Sequence, residues 1–297
     1  MRKRFAIIGL DEPLAKRAKS AIQAVDWDAL AMLYPTVPAV EFDTALRVES
    51  QSIAGRMLDV DGVVYYSYFE GVDKERLALA LAPTPTFPSV RAAQPLDDKL
   101  AALVLSLRAD PLGARAPGRR VVRDRALCAP LSPEEREIVA RHPGYVVKAS
   151  SAHCGHGKWR TEEFLAQFRA GETHLVSGPI YVEPFVVGES VRVLLVGNRA
   201  WQLHYKSEDW RKNVRSTVWP ISLDRDLLAR ARQIAGGLGL TVAGIDFILP
   251  ETGDPVLLEV NAYPGLGDAP GAEDAFVDLL SQWAASICRS VDKQLES

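Results

Sequence analysis

The amino-acid sequence predicts an α/β fold that becomes α+β in its C-terminal part. Three observations predict it. Strand-like and helix-like segments alternate over about the first 95 residues, the pattern of an α/β domain. Toward the C-terminus, apolar strands follow one another across short polar turns, at Gly197-Asn198 and again at Pro250-Glu251-Thr252-Gly253-Asp254-Pro255. The composition, 47% hydrophobic and 25% charged, is that of a soluble globular protein, and 297 residues suffice for about two domains.

Composition also excludes some functions. A net charge of -3 gives no general attraction to nucleic acid or to an anionic membrane. No apolar run approaches the ~20 residues that span a bilayer. The start, Met1-Arg2-Lys3-Arg4 and then an apolar stretch, superficially resembles a signal peptide. Asp11 and Glu12 end that stretch after six residues, too soon for a secretory segment, so it reads as a strand and the protein as cytoplasmic. Cys128, Cys154 and Cys288 are odd in number and widely spaced, which suits reduced thiols.

The elements follow in order. Residues 5–10 form the first strand. Residues 13–25 suit a helix, with Leu14, Ala18, Ala21, Ile22 and Val25 along one stripe. Short strands are expected over 30–33 and 37–42, a helix over 50–58 and a strand over 60–66. Pro83, Pro85 and Pro88 punctuate a linker. A helix starts at 96 or 97 under acidic residues and runs to 108. Pro111-Leu112-Gly113 and Pro117-Gly118 make an irregular connection. A short helix over 133–141 has Ser132 as N-cap and Glu135 at capping-box spacing. A strand over 145–148 runs into a small-residue loop, 150–158. A helix over 161–169, a strand over 180–186 and a hairpin of 191–197 with 200–205 come next. An amphipathic helix spans 223–238 before Gly239. After a second hairpin, a helix over 274–293 closes the chain.

That second hairpin carries most of the chemistry. Glu259 and Asn261 are two apart, so a strand projects them from one face. Asp246 stands among Ile245, Phe247 and Ile248, where an unpaired carboxylate is costly to bury. Two readings stand: acids that face water, or three hard oxygen donors that suit Mg²⁺. Lys148 ends a strand before the glycine loop, whose backbone N–H groups can approach phosphates while the lysine adds charge. The loop lacks Walker A spacing, since Trp159 follows Lys158. His153, Cys154 and His156 suggest a transition metal, but no fourth partner stands at zinc spacing. Arg192 sits in a Val/Leu strand and must find an anion or a carboxylate. The cations Lys206, Arg211 and Lys212 form either a phosphate clamp or a solvated loop.

In this order the pieces resemble the ATP-grasp superfamily: Lys99, Lys148 with its glycine loop, residues 183–189, Arg192, Asn213, Asp246, Glu259 and Asn261. The resemblance covers roughly residues 96–270. It implies a Rossmann-like domain over 1–95, a lobe with the glycine loop over 96–182, and a C-terminal lobe with the metal site over 183–297. It implies that Lys99 and Lys148 contact ATP phosphates, and that the loop from Ser151 through Gly155 and Gly157 to Lys158 closes over them. By the same resemblance Glu183, Pro184, Phe185 and Val186 meet adenine and Glu189 holds the ribose. Asp246, Glu259 and Asn261 bind two Mg²⁺, or Mn²⁺ in their place, with Glu259 bridging. Arg192 and Asn213, with Lys206 or Arg211, face the transferring phosphoryl group.

Two branches look similar. The glutamate-ligase-like branch resembles residues 182–197 and the Asp–Glu–Asn ending; synapsins resemble residues 148–158 and the Trp210-x-x-Asn213 pattern. The segment 108–120, rich in Arg, Ala and Pro, departs from both. Arg115, Arg119, Arg120, Arg123 and Arg125 either recruit an acidic acceptor or form a solvated basic face. The expected function is an ATP- and Mg²⁺-dependent carboxylate–amine ligase that works through an acyl phosphate. Its partners are a small-molecule or peptide carboxylate and an amine, with neither nucleic acid nor membrane, and a homodimer is left open. The alternatives are a synapsin-like ATP-binding regulator without turnover, a hydroxyl or thiol acceptor, or a kinase.

Overall fold

The computed structural model of the protein describes residues 2–36, 38–42, 45–50, 52, 56–67, 73–113, 121–124, 145–149, 157–160, 162–164, 166, 179–211 and 216–295. The first elements are β1 (Arg4–Ile8), α1 (Glu12–Val25), β2 (Leu30–Tyr34), β3 (Val40–Phe42), β4 (Leu46–Glu49), β5 (Met57–Asp59), β6 (Gly62–Tyr65), α2 (Asp73–Leu81) and β7 (Thr86–Phe87). Strands β2-β1-β6-β7 form an all-parallel sheet, and β3-β4-β5 a small antiparallel one. In α1, the Asp11 carboxylate accepts the Leu14 N–H at 2.8 Å and caps the first turn. The helix then buries Leu14, Ala15, Ala18 and Ile22. Strand alternation sends Phe5 and Ile7 into the core shared with α1, and Ala6 and Ile8 into a second core with Leu46, Val48 and Leu79.

The helix expected over 50–58 is not formed at its C-terminal end. Met57–Asp59 instead pairs with β4, Leu58 opposite Val48. The reason is tertiary: Leu46 and Val48 are fully buried, and a pairing neighbour overrides a weak local helix preference.

Next come α3 (Val90–Ala93), a 3-10 turn (Gln94–Leu96) and α4 (Lys99–Ala109). The turn holds Pro95, and α4 starts only where Asp98 caps the Ala101 N–H at 2.7 Å. A four-stranded antiparallel sheet follows, ordered β10-β9-β11-β8, from β8 (Val121–Asp124), β9 (Tyr145–Ala149), β10 (Lys158–Arg160) and β11 (Pro179–Pro184). The helix expected over 133–141 lies outside the described residues.

The last unit comprises β12 (Glu189–Val196), β13 (Arg199–Lys206), β14 (Thr217–Ile221), α5 (Arg225–Gly237), β15 (Val242–Leu249), β16 (Val256–Asn261) and α6 (Ala272–Leu295). Its strands form an antiparallel sheet ordered β14-β13-β12-β15-β16. One face, with Val191, Val193, Ile245 and Phe247, packs on Leu227, Ala231 and Ile234 of α5. On the other face, Leu194, Val196 and Val242 pack toward Phe276 and Leu280 of α6 and the α1 layer. The remaining stretch of that second face is lined with Ser190, Arg192 and Asp246, and it is here that a cleft opens. A buried ion pair fastens α4 to α5: Arg230 donates to both Asp110 carboxylate oxygens, at 2.8 and 2.7 Å. Among the described residues, no helix is long and apolar enough to cross a membrane.

Candidate active site

Pairing register builds the site. Arg192 on β12 stands opposite Asp246 on β15, and Asp246 opposite Glu259 on β16. Residues directly opposite in antiparallel strands share a face, so three charged side chains form one row across the sheet. Arg192 grips Asp246 through Nε at 2.6 Å and Nη2 at 2.8 Å, a bidentate pair. Gly244 makes room for it: a Cβ there would lie 3.2 Å from Arg192 Cδ and Nε and 2.8 Å from Pro264 Cβ. Asn261 extends the row. Its Nδ2 donates to Asp246 Oδ2 at 3.2 Å and to Glu259 Oε1 at 3.3 Å. Turning that amide over would present its oxygen to the same point. The ladder shifts by one residue just after Asp246, so that Phe247 meets Leu257; Leu258 is the extra residue of this bulge.

The second part of the site comes from the other sheet. Lys148 on β9 and Lys158 on β10 are direct partners across the strands, and both are buried. Like charges so placed repel, and burial worsens it, so they require anions. Lys148 is ion-paired with Glu183 of β11. Lys158 Nζ lies 3.7 Å from Glu259 Oε2, and Lys99, the first residue of α4, lies 4.0 Å from the same oxygen. Burial alone would raise the Glu259 carboxyl. Lys158, Lys99, Lys148 and Arg192 together outweigh it and hold the carboxyl well below the usual carboxylate range. Burial likewise works against the Arg192 charge, yet Asp246 raises the guanidinium above its ordinary value.

Between the two sheets runs a cleft of about 950 Å³, counted out to its open mouth. Its apolar wall is Val146, Ile248 and Leu257, and its polar floor is the two-part site. Glu183, Pro184, Phe185 and Val186 line it where the chain passes from β11 to β12. Tyr205 on β13, opposite Ser190 of β12, carries the Arg192 guanidinium over its ring at 5.2 Å. Burial pushes the Tyr205 hydroxyl up to about 12. Arg211 also lines the cleft, and its guanidinium donates to both Asp209 carboxylate oxygens, at 3.0 and 2.7 Å.

Residues 141–282 match the family model of the RimK-like ATP-grasp domain. That segment is therefore similar to an ATP-grasp domain. It is 30% identical over 161 residues to a probable alpha-L-glutamate ligase of Xanthomonas oryzae pv. oryzae (strain MAFF 311018), across 50% of this chain and 54% of that protein. The chain spans only 34% to 54% of the length of curated relatives of this kind. Solved structures agree on the fold over nearly the whole chain. D-alanyl-alanine synthetase A of Vibrio cholerae superposes with a TM-score of 0.65 at 14% identity, covering 96% of this chain and 98% of that one. The ATP-grasp ligase PsnB, solved with a phosphomimetic variant of its minimal precursor, Mg and ADP, gives 0.58 at 16% identity, covering 96% and 97%.

The structure gathers Lys99, Lys148, Lys158, Glu183, Pro184, Phe185, Val186, Arg192, Arg211, Asp246, Glu259 and Asn261 around one cleft, all but Lys99 inside the matched segment. Gly157 turns the chain into β10 with φ +61, a conformation glycine adopts freely. Two expected residues are not brought in. Glu189 is exposed and one position off the Arg192 parity, so it shares the face of Val191 rather than the cleft. Lys206, also exposed, is one position off the parity of Tyr205. Ser151, Gly155 and Asn213 lie outside the described residues, as do His153, Cys154 and His156. Sequence reasoning missed Ser190, Tyr205, Trp210, Arg160 and the apolar wall. Ser190 and Tyr205 were within reach: the Gly197-Asn198 turn pairs Val196 with Arg199, and that register places Tyr205 beside Arg192.

The oxygen set fits a hard divalent ion. Among the described residues, no group of three His, Cys, Asp or Glu that could hold a metal gathers; Asn261 adds a third oxygen-bearing side chain to the two carboxylates.

Proposed function

We propose that the protein is an ATP- and Mg²⁺-dependent carboxylate–amine ligase that forms an amide or peptide bond and releases ADP and phosphate. One observation carries this reading. The directly paired, buried Lys148 and Lys158 share a cleft with the Asp246, Glu259 and Asn261 set. Cations for a polyphosphate thus stand beside hard oxygen donors for its metal. The similarity to probable alpha-L-glutamate ligases supports it.

Lys99, Lys148 and Lys158 neutralise phosphate oxygens, exchanging Glu259 and Glu183 for them. Residues 183–186 and the apolar wall receive the base. Asp246, Glu259 and Asn261 would hold Mg²⁺, two ions in this reading. When bound, the metal neutralises polyphosphate charge. Arg192, fixed by Asp246, offers a rigid positive edge where charge builds on the transferring group, and Arg211 stands by. A substrate carboxylate oxygen attacks the γ-phosphorus and the bond to the bridging oxygen breaks, giving ADP and an acyl phosphate. The amine nitrogen then attacks the acyl carbon; phosphate departs with the C–O electron pair, and the nitrogen loses its proton to solvent. The protein's contribution is position and charge. In this reading residues 96–182 and 183–297 are the lobes that grip the nucleotide, residues 1–95 a separate layer, and the ATP is cytoplasmic.

The test is ADP release with Mg²⁺-ATP across a panel of carboxylates and amines. The expected result is ADP and phosphate only when both substrates are present, and a hydroxamate when hydroxylamine replaces the amine. Tight Mg²⁺-ATP binding with no ADP over the whole panel would point to a regulator instead. A phosphorylated product that hydroxylamine does not trap would point to a kinase.

A further inference from the structure

Three side chains from three elements meet beside the cleft. Arg160 on β10 places its guanidinium carbon 3.8 Å from the centroid of the Phe185 ring and 5.3 Å from that of Trp210. The two rings meet edge to face, 6.1 Å apart at 79°. Phe185 belongs to the passage from β11 to β12, and Trp210 to the turn after β13; both line the cleft. Arg160 therefore bridges the two sheets between which the cleft lies.

The strand that carries Arg160 needs such a tie. Strand β10 is three residues long and lies at the edge of its sheet, paired with β9. Arg160 is two residues on from Lys158, so the two side chains project from the same face. Trp159, between them, points the other way and packs on Phe164 with ring centroids 5.7 Å apart. What holds Arg160 in place therefore holds Lys158 in place as well. A guanidinium on an aromatic face gains from the ring quadrupole and from flat stacking, more so where water is partly excluded.

We propose that Arg160 is a positioning residue for the nucleotide. With Phe185 and Trp210 it forms a latch that closes the mouth over the base, keeps Lys158 at the phosphates and sets how fast ADP leaves. The proposal rests on the ATP reading of the cleft.

Stopped-flow dissociation of a methylanthraniloyl-labelled ADP with Mg²⁺ tests it on the full chain. Arg160→Met should speed release about tenfold, the scale of one cation–π contact at a partly desolvated site, and raise KM for ATP without lowering kcat. Arg160→Lys, which keeps the charge but not the flat stack, should fall between the two. The nucleotide-free melting temperature should fall by no more than a few degrees, the scale of one lost contact that is also present without nucleotide. Release within twofold of wild type in both Arg160→Met and Trp210→Leu overturns the latch while leaving the ATP reading standing. Equally fast release in Trp159→Leu, which loosens β10 from its other side, overturns it too, because Arg160 would then be merely structural. If Arg160→Met does not fold, Trp210→Leu carries the comparison alone. Failure of the wild type to bind labelled ADP or ATP defeats the ATP reading and the latch with it.

Discussion

Glu259→Gln separates the proposed metal role of this carboxylate from its structural role. The change keeps shape and removes one negative charge. In the structure that charge faces Lys158 at 3.7 Å and Lys99 at 4.0 Å, with Asn261 Nδ2 on its other oxygen at 3.3 Å. At an effective dielectric near 20, each lysine contact is worth about 4 kcal/mol of gross Coulomb attraction. Most of that is offset, since a neutral amide costs less to desolvate; a net loss of about 2 kcal/mol in folding stability is expected. The effect on function has two opposite signs. Without metal, the lysines lose a competing carboxylate, so ATP measured by calorimetry in EDTA should bind as tightly as to wild type or several-fold tighter. With Mg²⁺, ADP release should fall at least ~100-fold, the usual cost of removing one preorganised charge. Full Mg²⁺-dependent turnover in Glu259→Gln, or weaker metal-free ATP binding, would refute the reasoning.

Four further outcomes are expected. Lys148→Ala leaves the buried Glu183 carboxylate without this ion pair and should cost about 3 kcal/mol in chemical denaturation, with ATP binding lost. Gly244→Ala sets a Cβ 2.8 Å from Pro264 Cβ and 3.2 Å from Arg192, so stability should drop by about 1–3 kcal/mol and turnover more than ATP affinity. Tyr205 titrates higher in the folded state, at about 12, than the ordinary tyrosine value of 10.0. Its contribution is therefore intact below pH 10 and lost as pH rises through 12, so denaturation midpoints should fall over that window and fall less in Tyr205→Phe. Lys206→Ala should leave ATP binding within about twofold of wild type, because its strand parity turns it from the cleft; a large loss in titration calorimetry would contradict that placement.

Much of the charged row in the cleft was legible along the chain because strands have a period of two. Glu259 and Asn261 had to share a face once 256–261 was read as a strand, and Asp246 lay on the only neighbouring apolar run. Parity also turns two expected residues, Glu189 and Lys206, away from the cleft, which motif order alone does not show. The strand Met57–Asp59 was hidden for a different reason: its conformation comes from pairing with β4, which leaves no period in three residues. The latch was invisible for the same kind of reason, since Arg160, Phe185 and Trp210 lie 25 residues apart from one to the next and nothing local links them.

By itself, then, the sequence determined which chemistry is present: lysines beside a glycine loop, an arginine in an apolar strand, and two carboxylates with an amide on a hairpin. Those follow from residue identity and local periodicity. Only the tertiary structure decided which charges confront one another. Register across β12, β15 and β16 aligned Arg192, Asp246 and Glu259 in one row, and pairing of β9 with β10 set Lys148 against Lys158. The approach of the two sheets then placed Lys158 at Glu259 and Arg160 on Phe185. Electrostatic energy depends on distance and burial, and both are properties of packing between segments that the chain order does not contain.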